Sequence, residues 1–246
     1  MIEESVSDAP GVAAPEASAA VPYPGWNVLH LFCTLAPDAN RDAIEIAVKE
    51  CESTDHQVIT AIMLGHKADL GVVALGPSLE RLRALQTALQ RAGCTITYSY
   101  VSLTEVSEYA ANVPERLREA RLHPILPPAE MPAFCFYPMS KRRVTGENWY
   151  ELDFPTRLEL MYGHGAVGRT FHGRVLQLVT GSTGLDDWEW GVTLFGVTPD
   201  DLKSCVYTMR FDVASARYAE FGPFLAGTVA PIGAALTALG LDDPRG

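Results

Sequence analysis

The sequence is short of basic residues and of long apolar runs, and each shortage excludes a class of protein. No stretch of roughly 18 consecutive apolar residues is present, so a membrane-spanning helix is not expected. Only 19 Lys and Arg stand against 30 Asp and Glu, which gives a net charge of −11. This balance argues against nucleic acid as a partner and against a basic membrane-binding face. An anionic ligand would need a local basic cluster, and the run from Lys141 to Arg143 is the clearest one.

Cysteine pairs with the spacing of metal or redox sites are also missing. The five cysteines are odd in number, scattered and without a CxxC pair, which predicts buried thiols and neither a disulfide frame nor a zinc site. Such thiols are typical of a reducing compartment. The chain begins Met1-Ile2-Glu3-Glu4, where a secretory signal has a basic start, so we expect a cytoplasmic protein.

One order of elements, strand–helix–strand–strand–helix–strand, is predicted twice along the chain. Residues 1–24, rich in Ala, Pro, Ser and Glu, are predicted to be a disordered extension. The first set has strands at 27–35, 57–63, 71–75 and 94–101, with helices at 38–51 and from 79. After a polar helical connector, the second has strands at 133–139, 175–180, 189–195 and 223–229, with helices at 156–171 and 199–211, the latter continuing through 214–218.

The duplicated order indicates an α+β fold of two tandem ferredoxin-like units. We place the first unit at residues 25–112 and the second at 113–246. Their sheets can pack into a dimeric α+β barrel, with a ligand between one sheet and its helices. Two local details are predicted as well: Thr156 and Glu159 have capping-box spacing, and Ile46 is expected on the inner side of the first helix.

His164 is the first candidate for chemistry. It lies with Val167 on an apolar helix face, where a histidine is ordinarily a hydrogen-bonded core residue. Glycines surround it at 163, 165 and 168, and each mid-helix glycine costs about 1 kcal/mol relative to alanine. Small residues around a ligating nitrogen allow a flat macrocycle to approach the helix closely. This favours a haem-type iron site with His164 as the ligand.

Tyr137 ends an apolar strand and is followed by basic residues. Cys135, Tyr137 and Met139 share one strand face, and Lys141 continues the same parity. A tyrosine that anchors a strand end, followed by a solvated basic loop, is the ordinary interpretation. Basic groups beside a phenol also suit carboxylates held near an oxidisable ring.

Gln177 interrupts an apolar alternation at a position where a buried residue is expected. A buried amide costs roughly 1–3 kcal/mol unless it is paired. Either Gln177 faces a ligand or water, or it is a satisfied core glutamine. Arg174 lies three residues away and hence on the opposite strand face. The acidic turn at 184–191 is predicted to be a capped turn with ion pairs to arginines, in preference to a metal or acid–base site.

Five joined motifs resemble those of the chlorite dismutase-like superfamily and, within it, of the coproheme decarboxylases of bacterial haem synthesis. The motifs are of the firmicute type. The resemblance runs from about Arg121 to Gly227, and the first half of the chain matches more loosely. The motifs are YPMSKRR (137–143), WYEL (149–152), RLELMYGHGAVGR (157–169), GSTGLDDWEWGVTLF (181–195) and MRFDVASARYAEFGPFLAG (209–227).

The resemblance implies where iron coproporphyrin III (coproheme) binds, in the C-terminal unit of a homopentamer. His164, in HGxxGR, matches the proximal iron ligand. Tyr137 matches the residue that forms a radical and attacks the first propionate. Lys141 and Trp149 match positions beside the propionate that is decarboxylated second. Further positions near the porphyrin or its carboxylates fall on Met139, Arg169, Arg210 and Ser215, with Arg121 matching a propionate-binding arginine.

The implied activity is a hydrogen peroxide-dependent oxidative decarboxylation of two propionates to vinyl groups, giving haem b through a monovinyl intermediate. Gln177 stands 13 residues beyond His164, where chlorite dismutases have a distal arginine, and this argues against chlorite conversion. The alternatives are a haem peroxidase or chlorite dismutase-like enzyme, and a non-catalytic haem carrier or sensor. The resemblance also implies transient contact with a ferrochelatase.

Overall fold

The computed structural model describes residues 24–110, 114–128 and 130–241. The predicted disordered extension at residues 1–24 lies outside the described residues, apart from its last residue. None of the described helices is long and apolar enough to cross a membrane.

The predicted order of elements is present in both sets. The first set comprises β1 (Asn27–Leu35), α1 (Arg41–Glu52), β2 (Gln57–Met63), β3 (Leu70–Gly76), α2 (Leu79–Arg91) and β4 (Cys94–Thr104). A 3-10 turn (Glu108–Ala110) and α3 (Glu115–Leu122) follow. The second set comprises β5 (Ala133–Lys141), the short hairpin β6 (Arg143–Val144) and β7 (Glu147–Asn148), a 3-10 turn (Trp149–Glu151), α4 (Phe154–Arg169), β8 (Val175–Gly181), β9 (Trp190–Gly196), α5 (Pro199–Met209), α6 (Val213–Tyr218), β10 (Ala219–Phe221), β11 (Leu225–Val229) and α7 (Ile232–Ala238).

Eight strands close into one antiparallel barrel. Their order is β5-β11-β2-β3-β1-β4-β8-β9, and β9 pairs again with β5, with Tyr137 opposite Val192. The two sets are joined where β11 pairs with β2 and where β4 pairs with β8. Closure removes the exposed strand edges that two separate sheets would have. The predicted α+β barrel of tandem ferredoxin-like units is confirmed.

Apolar side chains alternate between the barrel interior and the layer under the helices. The interior cluster takes residues from all eight strands, including Phe32, Phe136 and Phe195. In the first set, α1 and α2 pack directly on the outer face of the sheet through residues such as Ile44 and Leu85. The second set differs, because α4 contains no buried residue. Helix and sheet are therefore separated there, and this gap holds the candidate site.

Two details predicted at helix starts are wrong. α1 begins at Arg41, three residues later than predicted, and Ile46 is 54% exposed. α4 begins at Phe154, where Asp153 is the N-cap and accepts a hydrogen bond of 2.8 Å from the Thr156 backbone N–H. Proline in the first turn favours this earlier start, since its fixed φ suits the first helical positions.

The C-terminal part also departs from the predicted bounds. Asp212 caps a separate helix, accepting from the Ser215 backbone N–H at 3.1 Å, so the predicted long helix is divided into α5 and α6. β11 starts at Leu225 and not at Pro223, whose nitrogen cannot donate to a strand ladder. The short elements β10 and α7 are additions to the predicted order.

Candidate functional site

A cavity of about 1350 Å³ lies between the outer face of β5, β8 and β9 and the helices α4, α5 and α6. It exceeds the roughly 300–1000 Å³ of ordinary small-molecule pockets, and is large enough for a flat macrocycle. All ten residues predicted for the site line it. They are Arg121, Tyr137, Met139, Lys141, Trp149, His164, Arg169, Gln177, Arg210 and Ser215. The structure brings the ten together, and the part that each plays in binding stays a prediction.

His164 is held by a carboxylate on the neighbouring helix. Its Nδ1 lies 3.1 Å from Asp212 Oδ2 and 3.4 Å from Ser215 Oγ. Burial alone would raise the pKa of Asp212, but hydrogen bonds from His164 and Ser215 bring it below its ordinary value. A carboxylate on one ring nitrogen is the usual support of a metal-ligating histidine, because it fixes the ring and leaves the other nitrogen free for the metal.

Asp212 is a site residue that was not predicted from the sequence. Its position three residues before Ser215 is the spacing of a helix cap, and this signal was available in the sequence. Its contact with His164, 48 residues away, is tertiary and has no local signal.

Tyr137 presents a neutral phenol at the cavity wall. The residue is 7% exposed, and burial raises the pKa of its hydroxyl. Its ring stacks on Phe224 with 4.5 Å between centroids and meets Phe221 edge-on at 5.8 Å. Within the described part of the chain its hydroxyl makes no hydrogen bond. The O–H group is therefore available to a bound molecule.

Lys141 lies close to the indole of Trp149. Its Nζ is 3.9 Å from the ring centroid, and Trp149 itself is buried. Burial lowers the pKa of Lys141 to about 8, while the nearby charges of Asp212 and Glu189 act in the opposite direction. The ammonium is thus charged at neutral pH but held in a poorly solvated place.

The acidic turn at 184–191 has the structural role predicted for it. Glu189 accepts a hydrogen bond of 2.7 Å from the Lys141 backbone N–H and lies 3.7 Å from Arg143. Asp186 accepts from the Val101 backbone N–H at 2.9 Å. Glu189 thereby holds the strand that carries Tyr137 and Lys141, and Asp186 holds β4.

Four cations on the cavity have no ion pair with a carboxylate among the described residues. By contrast, Arg157 also lines the cavity but lies 3.6 Å from Glu108 and donates to Tyr109 Oη at 3.1 Å. The four are Arg121, Lys141, Arg169 and Arg210. Four unpaired positive groups in a chain with a net charge of −11 form a local site for a polyanion.

Gln177 is exposed and faces the cavity, so its interpretation as a satisfied core glutamine is wrong. Arg174 does not line the cavity and pairs with Asp201 at 3.2 Å. The glycines of α4 leave open space: an added Cβ at Gly163 would meet no atom within 4 Å, and one at Gly165 would meet only the flexible end of Arg169 at 3.4 Å. Packing within the described chain does not explain these glycines.

Protein side chains alone do not make a metal centre in the described residues. No three His, Cys, Asp or Glu side chains come together there as ligands. All five cysteines are free and buried, which confirms the prediction of buried thiols. A metal bound by His164 would therefore take most of its ligands from groups other than these side chains.

Known proteins match most of this chain. The sequence profile of the chlorite dismutase family matches residues 39–230. A Staphylococcus carnosus protein named coproheme decarboxylase is 39% identical over 234 residues, covering 84% of this chain and 92% of that protein. A putative haem-binding protein of Natronomonas pharaonis is 39% identical over 236 residues, covering 82% of this chain but only 39% of that longer relative.

Solved structures have the same fold. A haem-binding protein from Thermus thermophilus is 39% identical with a TM-score of 0.80, and the match covers 88% of this chain and 96% of that one. A chlorite dismutase variant from Candidatus Nitrospira defluvii is 20% identical with a TM-score of 0.70, covering 87% and 95%. The latter likeness shows the fold alone.

Proposed function

This chain belongs to the chlorite dismutase family, and we propose that within it the protein is a coproheme decarboxylase. It converts two propionates of iron coproporphyrin III to vinyl groups with hydrogen peroxide and yields haem b through a monovinyl intermediate. The observation that carries the proposal is one cavity that holds a carboxylate-supported His164, a neutral Tyr137 phenol and four unpaired cations. The coproheme decarboxylase of Staphylococcus carnosus, 39% identical over 84% of this chain, supports it.

The residues of the cavity fit this substrate. A porphyrin supplies four nitrogen ligands, so one protein ligand is enough, and His164 is that ligand. The open space at Gly163 and Gly165 lets a flat ring approach the helix. The four carboxylates of coproporphyrin have partners in the four unpaired cations. Met139, Gln177 and Ser215 complete the contacts to the ring and its side arms.

The reaction balances with one peroxide for each propionate. A propionate, one hydrogen peroxide and one proton give a vinyl group, carbon dioxide and two waters. The bound iron porphyrin supplies the oxidising power, since with peroxide it accepts the two electrons that each propionate loses.

Tyr137 carries the hydrogen transfer. Its phenol gives up the Oη proton and one electron, and the resulting radical takes a hydrogen atom from the β-carbon of the nearest propionate. Carbon dioxide then leaves, and the second electron would pass to the bound iron porphyrin, which accepts both electrons. A phenol is protonated at neutral pH, and burial raises the pKa of this one further, so oxidation of Tyr137 to a neutral radical releases a proton as well as an electron. Holding the propionate against Tyr137 makes the transfer intramolecular, which supplies much of the rate.

Lys141 and Trp149 act on the second propionate, after the monovinyl intermediate has turned in the cavity. The ammonium of Lys141 neutralises the carboxylate, and the indole at 3.9 Å fixes its place. Arg121, Arg169 and Arg210 hold the remaining carboxylates. A homopentamer, a cytoplasmic location and transient contact with a ferrochelatase belong to the same proposal.

Haem binding without catalysis is the second candidate. It is favoured by the names of the relatives from Natronomonas pharaonis and Thermus thermophilus, which describe haem binding only. That function predicts tight binding of haem b and no carbon dioxide from coproheme. A chlorite dismutase-like activity predicts oxygen release from chlorite, and the amide at Gln177 in place of a cation disfavours it.

The test combines purified apoprotein with iron coproporphyrin III and peroxide, and follows the product mass. We expect the monovinyl and then the divinyl porphyrin from the wild type. Tyr137→Phe is expected to bind coproheme with an affinity near that of the wild type and to form no vinyl product. Vinyl formation at the wild-type rate in Tyr137→Phe would contradict the radical role.

A further inference from the structure

Phe224 covers one face of the Tyr137 ring without lining the cavity. The two rings are stacked, with 4.5 Å between centroids and an interplanar angle of 25°. Phe221 meets the Tyr137 ring edge-on at 5.8 Å and does line the cavity. Phe224 therefore acts on Tyr137 from outside the space that a ligand occupies.

The ring of Tyr137 depends on packing for its orientation. Its hydroxyl has no hydrogen-bond partner among the described residues, so no polar contact in the described chain fixes where Oη points. A stacked neighbour restricts the side-chain rotamers of Tyr137 as well as the flipping of its ring, and so limits displacement of Oη. Transfer of a hydrogen atom needs reacting atoms in close, aligned contact, and a displacement of about 1 Å can lower a rate about 100-fold.

Phe224 is itself anchored by the first set of elements. It lies between β10 and β11, and Lys67, in the turn between β2 and β3, donates from Nζ to its carbonyl oxygen at 2.6 Å. The same turn region donates from the Leu64 backbone N–H to the Ala226 carbonyl at 2.9 Å. The half of the barrel that lacks the cavity thus holds the residue that covers Tyr137.

The same aromatic cluster carries a cavity cation. The guanidinium of Arg210 lies 4.8 Å from the ring centroid of Phe221 and 5.9 Å from that of Phe224. Arg210 also acts on Tyr137, where its charge opposes the effect of burial on the pKa. Phenol and cation are therefore supported by one packed group.

We propose that Phe224 is a positioning residue for Tyr137, with Lys67 as its anchor. The stack fixes the phenol toward the cavity, and the Lys67 hydrogen bond keeps Phe224 in register with it. This role rests on the proposed function, because the orientation of Tyr137 affects the rate only where Tyr137 reacts.

Fluorine NMR of the full chain, with 3-fluorotyrosine placed at position 137, tests the stack without a bound porphyrin. We expect slow ring flipping in the wild type and in Phe224→Tyr, and faster flipping with a shifted resonance in Phe224→Leu. Phe195→Leu is the matched control, since Phe195 is fully buried in the barrel interior and lies away from Tyr137 in the cluster of Phe134. A Phe224→Leu spectrum equal to that of the wild type would overturn the proposal.

Single-turnover kinetics test the consequence of the stack. Phe224→Leu is expected to form the first vinyl group about tenfold more slowly, at unchanged coproheme affinity, because a displaced phenol loses alignment. Phe224→Tyr, which keeps an aromatic ring in the stack, is expected to form the first vinyl group at the wild-type rate. Lys67→Met is expected to cost about twofold, since an exposed hydrogen bond contributes little.

A wild-type rate in Phe224→Leu, with altered ring flipping, would overturn the positioning role while leaving the decarboxylase function intact. A wild type that forms no vinyl product would overturn the proposed function and with it the effect of Phe224 on the rate, while the fluorine spectrum still decides whether Phe224 restrains the ring of Tyr137.

Discussion

The hydrogen bond between His164 and Asp212 occupies one nitrogen of the imidazole and leaves the other free to act as a ligand. Asp212 Oδ2 lies 3.1 Å from Nδ1, so Nε2 remains for the metal. The carboxylate also makes the imidazole a stronger ligand. Asparagine is nearly as good a helix cap as aspartate, so Asp212→Asn preserves the start of α6 and removes only the charge.

We expect Asp212→Asn to lower the affinity for iron coproporphyrin III about 10- to 100-fold, as the loss of a metal ligand's support generally does. Absorbance titration of the apoprotein measures this affinity. Asp200→Asn, in the exposed first turn of α5, is the matched control and should bind like the wild type. Equal affinity in both variants would show that the charge of Asp212 does not support iron binding by His164.

We expect the charge of Lys141 to make the affinity for coproheme dependent on pH. Burial lowers the pKa of Lys141 to about 8, so the free protein loses this ammonium as the pH rises through that value. Above that pKa, Lys141 must take up a proton before it can pair with a carboxylate of coproheme. The affinity for coproheme is therefore expected to fall by up to about tenfold per pH unit. Titrations on both sides of pH 8 measure the effect. Lys141→Met should bind more weakly, without this pH dependence; a parallel decline in both proteins would assign it to another group.

Among single residues, those whose chemistry conflicts with their local sequence pattern could be predicted as site residues. His164 among glycines and Gln177 in an apolar strand conflict in this way, and both line the cavity. Asp212 and Phe224 do not, because a capping aspartate and an apolar phenylalanine fit their local sequence. Their contacts with His164 and Tyr137 arise only when distant elements pack together.

Among the elements, α7 is tied to α1 by a single buried arginine. Arg41 is 8% exposed, and its guanidinium donates to Thr237 Oγ1 at 2.9 Å, to Gly233 O at 2.8 Å and to Leu241 O at 2.5 Å. It also pairs with Glu45 at 3.0 Å. The arginine thereby satisfies carbonyl groups of α7 and of the residues that follow it.

We expect Arg41→Met to lower the free energy of unfolding by about 2–4 kcal/mol, because it removes several hydrogen bonds of a buried charge. Chemical denaturation measures the change. Lys49→Met is the matched control, since Lys49 pairs with the same Glu45 at 3.5 Å but is 67% exposed, and an exposed pair contributes about 1 kcal/mol or less. Equal losses in the two variants would contradict the role given to Arg41.

The starts of strands were the element boundaries best predicted from the sequence. The period of two in β1, β2 and β5 depends only on which face is buried, so the starts of these strands match the prediction. β10 and α7 are short and lack a periodic pattern. They form through tertiary contacts, since β10 pairs with β5 and α7 packs in the cluster that contains α1. The exposed face of Ile46 shows the limit of helix periodicity, as an apolar residue at the edge of a stripe can face solvent.

For the molecule as a whole, the barrel interior contains one buried histidine that links stability to pH. His30 is fully buried, with Nε2 at 2.8 Å from Thr193 Oγ1, and burial lowers its pKa to about 3. Its Nδ1 has no partner among the described residues. Between about pH 3 and the ordinary value of 6.5, the folded chain binds fewer protons at this residue than the unfolded chain.

The free energy of unfolding is therefore expected to fall by up to about 1.4 kcal/mol per pH unit, from this residue alone, as the pH falls below 6.5. His30→Phe should show a shallower decline in the same range. His66→Gln, at an exposed turn, should keep the wild-type slope. Denaturation curves at several pH values measure the slopes, and equal slopes for wild type and His30→Phe would contradict this assignment.

The duplicated element order predicted the barrel but not its closure. Each strand or helix pattern depends only on residues close together in the sequence, so the repeated order and the two ferredoxin-like units could be predicted. The pairing of β5 with β9 and of β4 with β8 joins residues far apart in the chain. The gap between α4 and the sheet agrees with the predicted ligand between one sheet and its helices, but the absence of any buried residue in α4 could not be predicted, because its sequence contains apolar residues.

The most direct test of the central claim is a crystal structure of this chain with iron coproporphyrin III bound. We expect His164 Nε2 on the iron, with one propionate against Tyr137 Oη and others near Lys141 and the cavity arginines. A porphyrin held elsewhere, or a complex in which His164 and Tyr137 face different cavities, would contradict the claim.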